Sequence, residues 1–170
     1  MDNEALIEQK IIVYHGSKKK FDKFTLSKVG SNIGTNQFDI NGLYMTPDKN
    51  FAIDYATGES VGEYIKGSKH QKFISPASDG YVYICTLTPK KVLIASSPEE
   101  YDNYRETPQL LDNCDLLIHK NIEYTDPSSG KIVNANGVEY VILSQDIITV
   151  NKIEHFSAKG DVVINEKKAE

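Results

Sequence analysis

Short β-branched and aromatic runs recur along the whole chain, separated by polar, glycine-bearing stretches. They constrain the fold more than any single motif. Ile11-Ile12-Val13-Tyr14, Leu43-Tyr44-Met45, Tyr81–Leu87, Val92–Ala95, Leu116–Ile118, Val138–Leu143 and Ile147–Ile153 all suit a pleated, half-buried surface. A weaker strand is predicted at Lys72–Ser75. Helix signals are fewer. Thr46 is placed to cap a helix with Pro47 at its first position, ending near Gly58, with Phe51, Ala52, Tyr55 and Ala56 on one packed face. Ser97-Pro98-Glu99-Glu100 opens a second helix, which must stop before Pro108, and a further turn follows over Gln109–Asn113. Many short strands, few short helices and no internal repeat predict an α+β fold with a mixed or split sheet.

The 170 residues suit one domain, here 1–156, followed by a charged tail, 157–170. A formal charge of -5 argues against strong non-specific binding to nucleic acid, which needs a basic surface, while leaving room for a local basic patch. Cys85 and Cys114 have no metal-ligand spacing and read as reduced core residues, so no disulfide framework is expected. The acidic start lacks an apolar signal core, and no run approaches the roughly 20 apolar residues that span a bilayer. A cytoplasmic protein without a membrane partner is expected.

Two long polar segments read as loops: Ser27–Asn41, rich in Gly, Ser and Asn, and His119–Asn136. Loops of such length in a compact domain are binding loops, lids or disordered segments. Lys18-Lys19-Lys20 reads either as a solvated turn or as a phosphate-attracting patch.

Four side chains stand out. Tyr44 and Tyr55 lie eleven residues apart on a strand and a helix that must pack together. Their rings are either ordinary core or the two walls of a slot for a flat aromatic ligand. His15 ends a strong strand, as a structural histidine or a ligand-binding one. Glu139 interrupts an apolar alternation: with Val138, Tyr140 and Ile142 on one face, it shares the other with Val141 and Leu143. A carboxylate there is costly unless it has partners or lines a cavity.

Val13-Tyr14-His15-Gly16-Ser17, then Gly42-Leu43-Tyr44-Met45-Thr46 with Tyr55 beyond, then Val138-Glu139-Tyr140-Val141-Ile142 with Gln145-Asp146-Ile147 behind it, resemble the ADP-ribosyltransferase superfamily. The likeness is to its His-Tyr-Glu branch, shared by diphtheria-toxin-like toxins and poly(ADP-ribose) polymerases. Phe21-Asp22-Lys23-Phe24 and the glycine-rich segment after it are similar to ADP-ribosyltransferase domains of phages and mobile elements. The blocks span residues 11–153 in the family's order.

The resemblance implies a split mixed and antiparallel β-sheet core with a few short helices, and NAD as co-substrate with no metal. It implies transfer of ADP-ribose to a macromolecular acceptor with release of nicotinamide, in a bacterial or phage effector or toxin. In the family's pattern Gly16 fixes the nicotinamide carboxamide through its backbone, and Tyr44 and Tyr55 sandwich the ring. His15 orients a ribose hydroxyl, and Glu139 stabilises the developing oxocarbenium charge. Ser27 and Lys28 fall near the pyrophosphate, and 119–136 becomes the acceptor-recognising loop. Two departures bear on this. Ala52 stands where the polymerases place a carboxamide-binding Ser, so donor contacts are fewer. Gly137 stands where arginine-modifying toxins carry Glu or Gln, which disfavours arginine as acceptor. The acidic balance favours a protein acceptor slightly over a nucleic acid. NAD hydrolysis by water and a non-catalytic NAD or ADP-ribose binding module are the alternatives.

Overall fold

In a computed structural model of the chain, residues 10–24, 40, 42–66, 69–125 and 131–163 are described. The strands are β1 (Ile11–Ser17), β2 (Leu43–Met45), β3 (Ser60–Lys66), β4 (Lys69–Ser75), β5 (Gly80–Leu87), β6 (Val92–Ala95), β7 (Leu116–Thr125), β8 (Ile132–Ile142) and β9 (Ile148–Phe156). The helices are α1 (Lys49–Thr57) and α2 (Pro98–Glu106), and 3₁₀ turns cover Pro108–Leu111 and Gln145–Ile147. The fold is α+β.

Three strands form one antiparallel sheet in the order β1-β5-β9, and four form a second, mixed sheet in the order β2-β8-β7-β6, with β6 and β7 parallel. The β3–β4 hairpin stands as a ribbon of its own. The main core lies between the two large sheets. Val13 of β1 and Tyr83, Cys85 and Leu87 of β5 meet Met45 of β2, Leu116 and Ile118 of β7, and Ile142 of β8. Burial pushes the Cys85 thiol up to about 12, and both cysteines are free.

Each helix covers an outer face. Helix α1 lays Ala52 and Ala56 on Val82 and Phe156 of the first sheet. The approach is so close that a β-carbon on Gly16 would overlap the Ala52 carbonyl oxygen, and one on Gly80 the Ala56 carbonyl oxygen. Glycine is required at both places by helix–sheet distance. Helix α2 covers the second sheet, bringing Tyr101 and Tyr104 to Ala95, Leu117 and Val141.

Several expectations are corrected. The cap of α1 is Asp48, whose side chain accepts from Asn50 N at 2.9 Å and Phe51 N at 3.3 Å. Thr46 lies before the helix: its backbone pairs with Tyr14 and its hydroxyl accepts from Asp48 N at 3.0 Å. On α1 only the alanines and Thr57 are buried, whereas Phe51 and Tyr55 are 46% and 62% exposed. A helix seated on glycines has room for small residues only, so the rings turn outward. Within the stretch 119–136 the described residues 119–125 and 132–136 lie on the β7–β8 ladder rather than in a loop, with register shifts between His119 and Ile122 and again near Tyr124. An exposed two-stranded ribbon satisfies its backbone through the ladder and needs no apolar side chains, so polarity there mimics a loop. The β3–β4 ribbon lies over a stretch expected to hold one weak strand.

The α2 expectations hold. Ser97 accepts from Glu100 N, Pro98 opens the helix and Glu106 ends it. The chain after β9 folds back, with Val162 bridging Phe156. No helix among the described residues is long and apolar enough to cross a membrane.

Candidate functional site

The three motif segments, far apart in the chain, fall on neighbouring strands. β1 and β2 meet at one antiparallel bridge, Tyr14 to Thr46, with bonds of 2.8 and 3.0 Å. β2 in turn pairs with β8, Tyr44 opposite Val141. Beyond the bridge β1 and β2 form no ladder, and the sheet is split at this line.

Gly16 borders the split. In an antiparallel pair, residues alternate in sending their N–H and C=O groups to one neighbour or the other. Tyr14 uses its groups on Thr46, away from β5, so Gly16, two residues on, also directs its peptide groups away from β5. They are therefore suited to an amide ligand at the opening. With a β-carbon excluded by α1, the strand edge there has its position set by the helix behind it.

His15 spans the split: its Nδ1 lies 3.1 Å from the Tyr44 carbonyl oxygen. A carbonyl only accepts, so Nδ1 carries the proton and Nε2 is left as an acceptor. Phe21, Phe24 and Tyr83 surround the imidazole edge-on, at centroid distances of 6.1, 5.3 and 6.4 Å. Burial holds its pKa below the ordinary value, opposed in part by the Tyr44 bond, so the ring is neutral at pH 7.

Glu139 follows the alternation expected of it. Val138, Tyr140 and Ile142 pack into the core between the sheets, while Val141 and Leu143 belong to the opposite face. Glu139 shares that second face with Tyr44, its diagonal neighbour across β2–β8, and with His119, directly opposite on β7. Gly137, two residues earlier, helps line a cavity of about 180 Å³ with Thr46, Asp48, Phe51 and Asn136. That volume is below the roughly 300–1,000 Å³ usual for a complete ligand pocket and suits one small group.

The tyrosine slot is not formed. The Tyr44 hydroxyl donates to the Ile40 carbonyl at 3.0 Å and lies 2.8 Å from the Tyr101 hydroxyl, and its ring packs with Leu117 and Val141 beneath α2. Tyr55 stands exposed on α1, which covers the other sheet. Alternation explains the separation: Leu43 and Met45 claim the inter-sheet core, so Tyr44 must face the other way. Ala52 is buried against the first sheet, with its carbonyl oxygen behind Gly16. Ser27 and Lys28 lie outside the described residues.

Two further residues belong to the Glu139 face. Tyr101 stacks on His119 with centroids 4.2 Å apart and planes at 11°. His119 is 9% exposed, and its Nε2 is buried with no hydrogen-bond partner. The signal for His119 is the one that marks His15, a histidine directly after an apolar run, but the reading of 119–136 as loop hid it. No metal-suited group of three or more His, Cys, Asp or Glu side chains occurs among the described residues. Comparisons with protein-family models and with curated proteins return no match for this chain.

Proposed function

We propose that the chain is an NAD-dependent mono-ADP-ribosyltransferase acting at the split between β1 and β2. The observation that supports this reading is that the strands bearing His15-Gly16, Tyr44 and Glu139, from three separate motif blocks, are neighbours, with His15 bonded to the Tyr44 backbone across the split and the Tyr44 and Glu139 side chains on the opposite face. The outward peptide groups of Gly16 can hold a carboxamide. Neutral His15, with Nδ1 committed to Tyr44, can accept from a ribose hydroxyl through Nε2. Glu139 supplies the negative charge that an oxocarbenium-like state requires. The C1′–nitrogen bond breaks, nicotinamide leaves with the electron pair, the acceptor bonds to C1′, and its proton passes to Glu139 or solvent. Tyr55 offers one exposed ring face for stacking, in place of a two-sided slot. The small cavity lined by Asn136, Gly137 and Val138, the residues just before Glu139 in the chain, suits a compact acceptor group, on a protein rather than a nucleic acid given the charge of -5.

A second reading is a non-catalytic NAD or ADP-ribose binding module. The commitment of the Tyr44 phenol to Tyr101 and Ile40 favours it. Incubation with labelled NAD, with and without cell lysate, separates the readings. Label on a macromolecule supports the transferase, free ADP-ribose alone a hydrolase, and bound but intact NAD the module. No binding rejects all three.

A further inference from the structure

We propose that Tyr83 is a positioning residue for His15: its phenol clasps the backbone of Phe21 and so holds the Phe21–Phe24 segment closed over the imidazole. The inference rests on the reading of His15 as the group that orients the donor ribose. His15 and Tyr83 are direct partners in the β1–β5 ladder, and their rings meet edge-on at 6.4 Å. The Tyr83 hydroxyl donates to the Phe21 carbonyl at 2.8 Å and accepts from the Phe21 N–H at 2.6 Å. One side chain thereby does for Phe21, beyond the end of β1, what a neighbouring strand would do. The two rings stack at 4.2 Å with planes at 11°. Phe24 follows, buried and 5.3 Å from both His15 and Tyr83.

Packing alone does not call for a phenol at position 83. Phenylalanine would keep the stack on Phe21 and the core contacts, but it would leave both peptide groups of Phe21 without this partner. Tyr83 is 1% exposed, so its two bonds are what make a hydroxyl tolerable there. Phe21 and Phe24, which the clasp holds, are two of the three rings around His15. The remaining support comes from β2, through the Tyr44 carbonyl at 3.1 Å. Burial, to which these rings contribute, keeps His15 below its ordinary pKa. The titratable side chains of the surrounding core are Tyr83 and Cys85 on β5 and Tyr140 on β8, all raised by burial and neutral at pH 7. Asp22 and Lys23 of the clasped segment are exposed, and the Asp22 charge acts on the Tyr83 phenol. If the clasp opens, water reaches the imidazole and the charged ring is no longer disfavoured. Nε2 then gains a proton in place of accepting from the ribose hydroxyl.

The test follows the His15 ring titration by NMR, together with kcat and the KM for NAD against pH, in the wild type and Tyr83→Phe. In Tyr83→Phe the fold is expected to persist, with the His15 midpoint raised towards its ordinary value. The KM should rise roughly 2–10-fold as pH falls through that midpoint, where the wild type still binds normally, while kcat at saturating NAD changes less. Leu87→Val, a core substitution on the same strand and sheet face, should lower stability and leave the His15 midpoint in place. An unmoved midpoint or unchanged KM in Tyr83→Phe, or an equal shift in Leu87→Val, would overturn the proposal. Hydrogen exchange of the wild-type Phe21 amide is a second measurement that needs no variant. Slow exchange supports the clasp, and exchange at the rate of an open chain rejects it. If the wild type neither binds NAD nor releases nicotinamide, the transferase reading fails on its own, while the His15 titration and the Phe21 amide still decide whether Tyr83 holds the segment closed.

Discussion

His15 on β1 and Tyr44 on β2 are joined at 3.1 Å, imidazole Nδ1 to backbone carbonyl, across the line where the two sheets part. The contact uses the backbone of Tyr44, which leaves its phenol to hold α2 through Tyr101 on the far face. One residue therefore connects the inter-sheet split to the Glu139 face.

Removing the phenol tests that division of labour. Tyr44→Phe leaves the Ile40 carbonyl and the Tyr101 hydroxyl without their partner, and a loss of about 1–3 kcal/mol is expected in denaturant unfolding. Tyr101→Phe in the same background should cost less than it does alone, because the shared bond is already gone. Additive effects would show that the phenols do not act as a pair.

Tyr55 should behave in the opposite way. Its ring is 62% exposed, so Tyr55→Ala is expected to leave the melting temperature within experimental error. Loss of one stacking face should raise the KM for NAD by roughly 2–10-fold, the worth of an aromatic contact. An unchanged KM would remove Tyr55 from the site.

Gly16→Ala sets a β-carbon against the Ala52 carbonyl oxygen, and backbone cannot rotate aside as a flexible side chain would. Helix α1 must lift from β1. A destabilisation of roughly 1–3 kcal/mol is expected, with weaker NAD binding as the strand edge moves. Calorimetric titration with NAD alongside thermal unfolding reads both effects.

Stability should depend on pH below neutrality. His15 and His119 both have folded pKa values held below the unfolded value of about 6.5, because burial disfavours the charged ring. The unfolded chain then binds more protons, so stability is complete above that pH and is lost as pH falls towards the folded values. The melting temperature should drop as pH falls below about 6.5, and His119→Phe should flatten that drop. A steeper drop in the variant would contradict the sign.

Much of this arrangement was legible from sequence where side-chain pattern and backbone role coincide. The Ser97-Pro98-Glu99-Glu100 start, the β5 and β6 runs and the inward–outward alternation around Glu139 all follow from local chemistry. That the His15, Tyr44 and Glu139 segments lie on neighbouring strands was not legible in local pattern, because strand order is a long-range property. The failures share a cause. Ribbons such as β3–β4 and the outer β7–β8 ladder satisfy their backbone between strands, and their largely polar, glycine-interrupted sequences carry only a weak strand pattern. Phe51 and Tyr55 point outward because Gly16 and Gly80 draw α1 so near the sheet that only small residues, Ala52, Ala56 and Thr57, are buried there. Nothing in the spacing of Tyr44 and Tyr55 shows that the core claims the strand neighbours of Tyr44.

The most direct test is nicotinamide release from NAD by the wild type and by Glu139→Gln, with both proteins shown to be folded. We expect turnover in the wild type and a loss of about 10²–10³-fold in kcat for the variant. Equal turnover in both, or none in the wild type, would contradict the assignment of Glu139 as the acid that stabilises the broken glycosidic bond.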